Sequence, residues 1–287
     1  MNHFIITTDS TVDLPTEYLE RNRNQVLSLS YIMDGEIYDD LHGLASGEFY
    51  DRMRNGALPT TSQFNPKEAV EMFKKILKEG VDILHIGFSS GLSGSFNSAR
   101  IAAEELMEVY PERTIKVVDS LGASMGEGLL LYKANEWKQQ GKSLEEIYIL
   151  AEKLKLHICH NFTVDDLNHL HRGGRISKAT AIIGTMVNMK PVLHMDEDGH
   201  LVSIGKVRGR KKSLLDLIDR MEEQMKGYEN DIIMISHGDC EEDAQFVKQH
   251  VEERFGIHNF MIHPVGPVIG THSGPGTIAL FFVGKRV

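Results

Sequence analysis

Residues 83–109, ILHIGFSSGLSGSFNSARIAAEELMEV, set three textures side by side. Ile83 to Phe88 is a largely apolar run of strand length, Ser89 to Ser95 holds only Ser, Gly and one Leu, and Gly94 to Val109 carries apolar residues at helical spacing. A strand that passes into a helix through a hydroxyl-rich loop is half of a βαβ unit, the connection that joins parallel strands. The texture recurs on both sides. Phe4 to Thr8, Val26 to Ile32 and Ile115 to Val118 read as strands, and Pro66 to Lys78 and Gly122 to Gln139 as helices. The first half is therefore expected to be an α/β domain on a parallel sheet. Its last helix opens with GASMGEG, small residues that suit close packing against a neighbour.

From Leu156 onward strands crowd together. His160 to Val164, Val192 to Met195, Leu201 to Val207, Ile232 to Ser236, Phe260 to Pro264 and Ile278 to Val283 are expected strands, with helices at Ala179 to Met189, Ser213 to Met225 and Glu242 to Phe255. Asp198-Gly199 between two alternating runs is a hairpin signal. Six strands with three helices predict a two-layer domain on a mixed sheet. No repeat or Pro-rich linker marks the boundary, which is placed to give domains 1–158 and 159–287.

The chain has 287 residues, 41% hydrophobic and 25% charged, too apolar for intrinsic disorder. Its apolar runs, such as IALFFV at 278–283, fall far below the roughly 20 residues of a membrane-spanning helix. The N-terminus MNHFIITTDS lacks the pattern of a signal peptide, so a cytoplasmic protein is expected. Cys159 and Cys240 are too few and too isolated for a disulfide framework or a thiolate metal site, and buried thiols are expected. Neither a G-x-x-x-x-G-K-[ST] loop nor a G-x-G-x-x-G after a strand is present, and the histidines show no metal-ligand spacing. A net charge of -10 argues against nucleic acid. Between Arg172 and Lys212, however, nine basic residues stand against three acidic ones, a local patch suited to an acidic partner or a phosphate-bearing ligand.

Ligands of open α/β sheets bind beyond the carboxyl ends of the strands. Those ends are Thr8-Asp9-Ser10, Ser89 to Ser95, and Asp119-Ser120, while Thr60-Thr61-Ser62-Gln63 stands just before the Pro66 helix. These hydroxyl-rich segments would converge on one crevice, and Ser93 or Ser95 would cap a helix whose N-terminus takes a small anion. Gly87-Phe88-Ser89-Ser90-Gly91 also matches a hydrolase nucleophile elbow, with Asp119 and His272 following in triad order, although Gly91 and Gly94 delay the helix. Gly266 to Gly276, GPVIGTHSGPG, fixes its backbone tightly where His272 projects.

Taken in order, TTDSTVDLP, TSQFNP, SSGLSGSF, VVDS, RGGRIS, KPVL, KVRG and GPVIGTHSGPG resemble the DegV family of bacterial fatty-acid-binding proteins, the carriers that serve fatty acid kinase. The likeness runs nearly end to end. It implies a two-domain fold, an α/β/α domain with a parallel sheet joined to a two-layer domain with a mixed six-stranded sheet, and a long-chain fatty acid between them. A Ser or Thr of the TSQ motif and a Ser of SGLSGS hold the carboxylate in that family. They correspond to Thr61, Ser62 and Ser93, with His272 nearby and Asp9, Ser10, Gly94, Ser95, Asp119 and Ser120 in supporting loops. Phe64 stands where members often have proline.

The resemblance further implies a carrier rather than an enzyme: no resident cofactor, ATP and magnesium supplied by the partner kinase, a role in phospholipid metabolism, and a monomer in transient contact with membranes. Arg172, Arg175 and Arg208 are then the expected kinase-docking residues. Burying about 15 methylenes at roughly 0.8 kcal/mol each gives an upper bound near 12 kcal/mol, so the tail supplies the affinity. The head group is left to hydroxyl and backbone donors, without Lys or Arg. Two other readings compete: a serine hydrolase built on Ser89, and a stand-alone phosphotransferase like the dihydroxyacetone kinases.

Overall fold

The computed structural model describes residues 3–177 and 188–286. β1 (Phe4–Asp9) leads through a 3-10 turn to α1 (Thr16–Arg21), and the expected strand Val26 to Ile32 is two strands, β2 (Gln25–Leu27) and β3 (Ser30–Met33). The break at Ser28–Leu29 switches partners. β2 runs parallel to β1, whereas β3 pairs antiparallel with β4 (Glu36–Asp39) and, beyond α2 (Ser46–Arg54), with β5 (Thr60–Ser62). Then come α3 (Pro66–Lys78), β6 (Asp82–Gly87), α4 (Ser95–Val109), β7 (Ile115–Asp119), α5 (Met125–Gln139) and α6 (Leu144–Leu154). The parallel sheet has the order β2-β1-β6-β7. One face carries α3 and α4, with Phe73, Ala99 and Ala102 against Ile83 and Ile115. The other carries α5 and α6, with Leu129 and Ile147 against Ile6, Leu84 and Val118. Reciprocal capping boxes, Asn65 with Glu68 and Ser143 with Glu146, start α3 and α6. α6 is not among the expected helices.

The second half comprises β8 (Ile158–Thr163), α7 (Asn168–Arg172), β9 (Met189–Met195), β10 (Leu201–Arg208), α8 (Arg210–Gln224), β11 (Ile233–His237), α9 (Glu241–Phe255), β12 (Phe260–Pro264), α10 (Pro267–Ser273) and β13 (Ile278–Val283). The helix expected at Ala179 to Met189 falls outside the described residues, except that Met189 opens β9. Six strands form one mixed sheet in the order β10-β9-β8-β13-β11-β12, with β13 in its interior. Gly199, at φ +78, makes the turn between β9 and β10. α8 and α9 cover the outer face, where Leu214, Leu217 and Val247 meet Ile233 and Leu280.

The inner face, with Phe162, Leu193, Met234 and Phe281, shares a core with α5. α5 thus lies between two sheets, and its N-terminal half, Met125 to Leu131, is wholly buried. Its glycines are needed there. A Cβ on Gly126 would stand 1.9 Å from His160 Nε2, and one on Gly128 would stand 2.7 Å from the Val12 carbonyl oxygen.

Hydrogen bonds from buried carboxylates fasten the start of α10 to the first half. Asp13 accepts from Ser124 Oγ (2.5 Å) and the Gly266 amide (2.9 Å), and Asp40 from Ser10 Oγ (2.7 Å) and the Val268 amide (2.8 Å). Tyr50 Oη donates to the Val265 carbonyl at 3.0 Å. Burial raises the carboxyls of Asp9, Asp13, Asp40 and Glu127, and the charge of Asp9 adds to the rise at Asp40, which reaches about 6.

A carboxyl raised in this way keeps its proton longer folded than unfolded, where Asp40 titrates near 3.8. Its stabilising contribution is present below about pH 4 and lost as pH rises through about 6. A shift of that size is worth about 3 kcal/mol. The melting temperature should therefore decline between about pH 4 and 6, and Asp40→Asn should flatten that segment; an equally steep decline in the variant would remove Asp40 as its source.

Candidate functional site

Beyond the N-terminal end of α5 the two sheets part and leave a cavity of about 380 Å3, within the range of small-molecule sites. Phe88 and the loop before α4 contribute from the parallel sheet, Phe162, Ala279 and Phe281 from the mixed sheet, and Val268, Ile269 and His272 from α10. Polar groups gather from several separate segments. β5 supplies Thr61 and Ser62, the loop after β6 supplies Ser93, and α10 supplies His272. Alternation along β5 turns Thr61, paired with Tyr31, inward and leaves Ser62 exposed. Phe64 is buried with Phe73 in the core behind this strand, which anchors the loop.

Thr61 Oγ1 lies 2.9 Å from His272 Nε2. Burial, then the Arg175 charge, pushes His272 down to about 4, so the imidazole is neutral at pH 7. Ser93 Oγ lies 2.9 Å from Ser95 Oγ and accepts the Ser95 amide at 3.2 Å. The expected side-chain cap of α4 is not formed, because Gly94 occupies the cap position. The side-chain amide of Gln63 packs against Gly94, where it fills the space that a Cβ would take.

The remaining supporting residues hold loops in place and do not line the cavity. Asp9 accepts from the Thr11 and Phe88 amides, Ser10 bonds Asp40, Asp119 accepts from the Ser90 and Leu121 amides, and Ser120 Oγ accepts from the Gly122 amide. An alternating strand does not announce which face adjoins a void, and Phe162, Ala279 and Phe281 therefore escaped identification as site residues. Ser273, which also lines the cavity, has a buried hydroxyl with no hydrogen-bond partner in the structure. The Ser next to His272 was the available signal.

Two expectations need correction. The cavity is not free of basic side chains, because Arg175 lines it. Its guanidinium donates to the Leu92 carbonyl at 2.8 and 3.1 Å and to the Gly173 carbonyl, tying the two halves together. The hydrolase triad is not assembled either. Ser89 Oγ is buried and donates to the Gly199 carbonyl at 2.8 Å, Asp119 serves backbone amides, and His272 meets Thr61. Arg172 and Arg208 are exposed. Arg208, Lys211 and Lys212 have no ion pair among the described residues, whereas Lys190 pairs with Asp165 and Arg210 with Asp243. Among the described residues no cluster of His, Cys, Asp or Glu fits a metal ion, and no helix is long and apolar enough to cross a membrane. Cys159 is buried as expected, and Cys240 is partly buried.

Comparison with known proteins matches this architecture. The family profile described as "Uncharacterised protein, DegV family" matches residues 3–285. A DegV domain-containing protein of Clostridium perfringens is 42% identical over 286 residues, 99% of this chain and 98% of its own. Among solved structures, a fatty-acid-binding DegV family protein from Thermus thermophilus superposes with a TM-score of 0.88 at 32% identity, covering 98% of this chain and 99% of that one. A stearic-acid-binding protein from Eubacterium ventriosum superposes with a TM-score of 0.90 at 27% identity, covering 98% of each chain. With the parallel and mixed sheets arranged as in these relatives and the profile running almost from end to end, this chain belongs to the DegV family.

Proposed function

We propose that this protein binds a long-chain fatty acid in the cavity between its two sheets and presents the carboxylate to a partner fatty acid kinase. The observation that carries the reading is the cavity's polarity: Thr61, Ser62, Ser93 and His272 supply polar groups, and phenylalanine and aliphatic side chains most of the remaining wall. Fatty-acid binding by the Thermus and Eubacterium relatives supports it. Hydroxyl donors suit a carboxylate that must react, since they hold one oxygen without neutralising the other. In the kinase complex a carboxylate oxygen attacks the γ-phosphorus of ATP. The new O–P bond forms as the bond to ADP breaks, and ADP leaves with the electron pair. ATP and magnesium belong to the kinase, and Arg208 with Arg172 and the neighbouring lysines offers it an exposed cationic face.

Mass spectrometry of lipid released from the purified protein should find a long-chain fatty acid. Each hydrogen bond to the carboxylate is worth about 1.5 to 3 kcal/mol, so Thr61→Val and Ser93→Ala should each weaken fatty-acid affinity about tenfold or more while the melting temperature holds. Unchanged affinity in both would remove these residues from the site.

Ser89→Ala should lower stability by about 1 to 3 kcal/mol, because it leaves the Gly199 carbonyl without its donor. Neither form should hydrolyse an ester; turnover that disappears in the variant would restore the hydrolase reading. ATP consumption by the isolated chain would favour the phosphotransferase. Arg208→Ala should retain lipid and lose kinase-dependent acyl-phosphate formation, and undiminished turnover would displace the docking face.

A further inference from the structure

The parallel sheet has a second cavity at its other end. The cavity between the sheets lies past the carboxyl end of β6, whereas one of about 470 Å3 opens at the amino ends of the strands, against His3, Phe4, Asp82 and Thr114. The corner between α5 and α6 supplies the rest of its wall, including Lys138, Lys142 and Leu144. Phe4 and Leu144 are its buried apolar members.

The charges of this wall do not balance. It holds two carboxylates, and each already has a cation. Asp82 accepts the Thr114 amide at 3.0 Å and lies 3.6 Å from Arg113 Nη1, and Glu145 lies 3.1 Å from Lys116 Nζ. Glu146, which feels the charge of Lys142, spends its carboxylate on the Ser143 amide (2.8 Å) and hydroxyl (2.6 Å). The side chains of Lys138 and Lys142 form neither an ion pair nor a hydrogen bond among the described residues, and the same holds for the nearby Arg23. Lys138 is half-buried, with Nζ 5.0 Å from the centroid of the Phe4 ring. Burial and then the Arg23 charge lower its value, so this ammonium is held at a cost that a bound anion would relieve.

The chemistry of the ligand follows from these groups. Lysine offers a compact point charge that suits a phosphate, and several unpaired cations favour a dianion over a single charge. A phosphate group fills only part of the volume, one water's share of the liquid being about 30 Å3, which leaves room for an organic body beside the apolar wall.

We propose that this cavity binds an organic phosphate of nucleotide size, its phosphate beside Lys138 and Lys142 and its organic body against Phe4 and Leu144. The site is separate from the fatty-acid reading and does not rest on it.

Isothermal titration calorimetry on the full chain tests it, with AMP, adenosine and inorganic phosphate as probes. AMP should bind, with an affinity that falls as salt rises. Adenosine and inorganic phosphate, each lacking one half of the ligand, should bind at least tenfold more weakly. Lys138→Gln and Lys142→Gln should each weaken AMP about tenfold or more, and Lys138→Arg should recover part of the loss. Thr61→Val, in the other cavity, should leave AMP binding within threefold. Absence of AMP binding by wild type, or unchanged affinity in either glutamine variant, overturns the proposal; Lys142→Gln decides alone if Lys138→Gln does not fold. Inorganic phosphate that binds as tightly as AMP would make this a free-anion site, adenosine that does so would remove the lysines from recognition, and a loss in Thr61→Val would move AMP to the cavity between the sheets. Each of these outcomes overturns it too.

Discussion

The narrow first turn of α5 is the constraint from which the rest of the molecule follows. Gly126 and Gly128 face opposite sheets, and a methyl group on either would collide with a ring or a backbone carbonyl. Between them Glu127 is buried and accepts hydrogen bonds from Thr8 (3.2 Å) and Thr11 (2.9 Å), which locks the helix to the parallel sheet. Ser124, just before the helix, sits in the left-handed region at φ +53, a conformation that costs about 1 kcal/mol or more in a residue other than glycine. Its hydroxyl offsets that cost by bonding both Asp13 (2.5 Å) and Ser236 (2.8 Å), one partner from each half of the chain. Where the helix stops filling the gap between the sheets, the cavity begins.

The electrostatics of that region set buried acids beside a wall that holds a base. The carboxyls of Asp9, Asp13, Asp40 and Glu127 are hydrogen-bonded, and burial raises each of them above its ordinary value. Arg175 lines the cavity, as does a neutral His272 whose value the Arg175 charge helps to lower. The cavity wall thus includes a positive charge, even though the chain as a whole carries a net charge of -10.

Much of this was legible in the sequence, and the failures have physical reasons. The strand, loop and helix of residues 83–109 lie close to their expected positions because apolar period and hydroxyl-rich loop agree locally. The six strands of the second half were likewise found, the Asp198-Gly199 turn among them. Val26 to Ile32 was misread as one strand because both pieces have strand composition, and only tertiary partners send β2 and β3 to different sheets. β5, Thr-Thr-Ser, has no apolar residue at all, so it gives no hydrophobic alternation to read, and its place in the sheet shows only in its pairing with β3. Thr61, Ser62, Ser93 and His272 could be singled out through motif resemblance. The positive charge of Arg175 was visible in the sequence, but the carbonyls of Leu92 and Gly173 to which it donates were not.

The interior position of β13 has a consequence for how the molecule comes into being. Its neighbours are β8, from more than a hundred residues earlier, and β11, so the mixed sheet stays split in two until residues 278–283 are available. During synthesis the parallel sheet can form first, as N-terminal units do, while the edges of β8 and β11 wait unpaired. Such long-range closure is slow, and strand edges left waiting invite association with other chains. The same strand brings Ala279 and Phe281 to the cavity wall. A nascent chain therefore has no finished cavity until its sheet closes, and the step that ends its exposure to aggregation is also the step that completes the cavity wall.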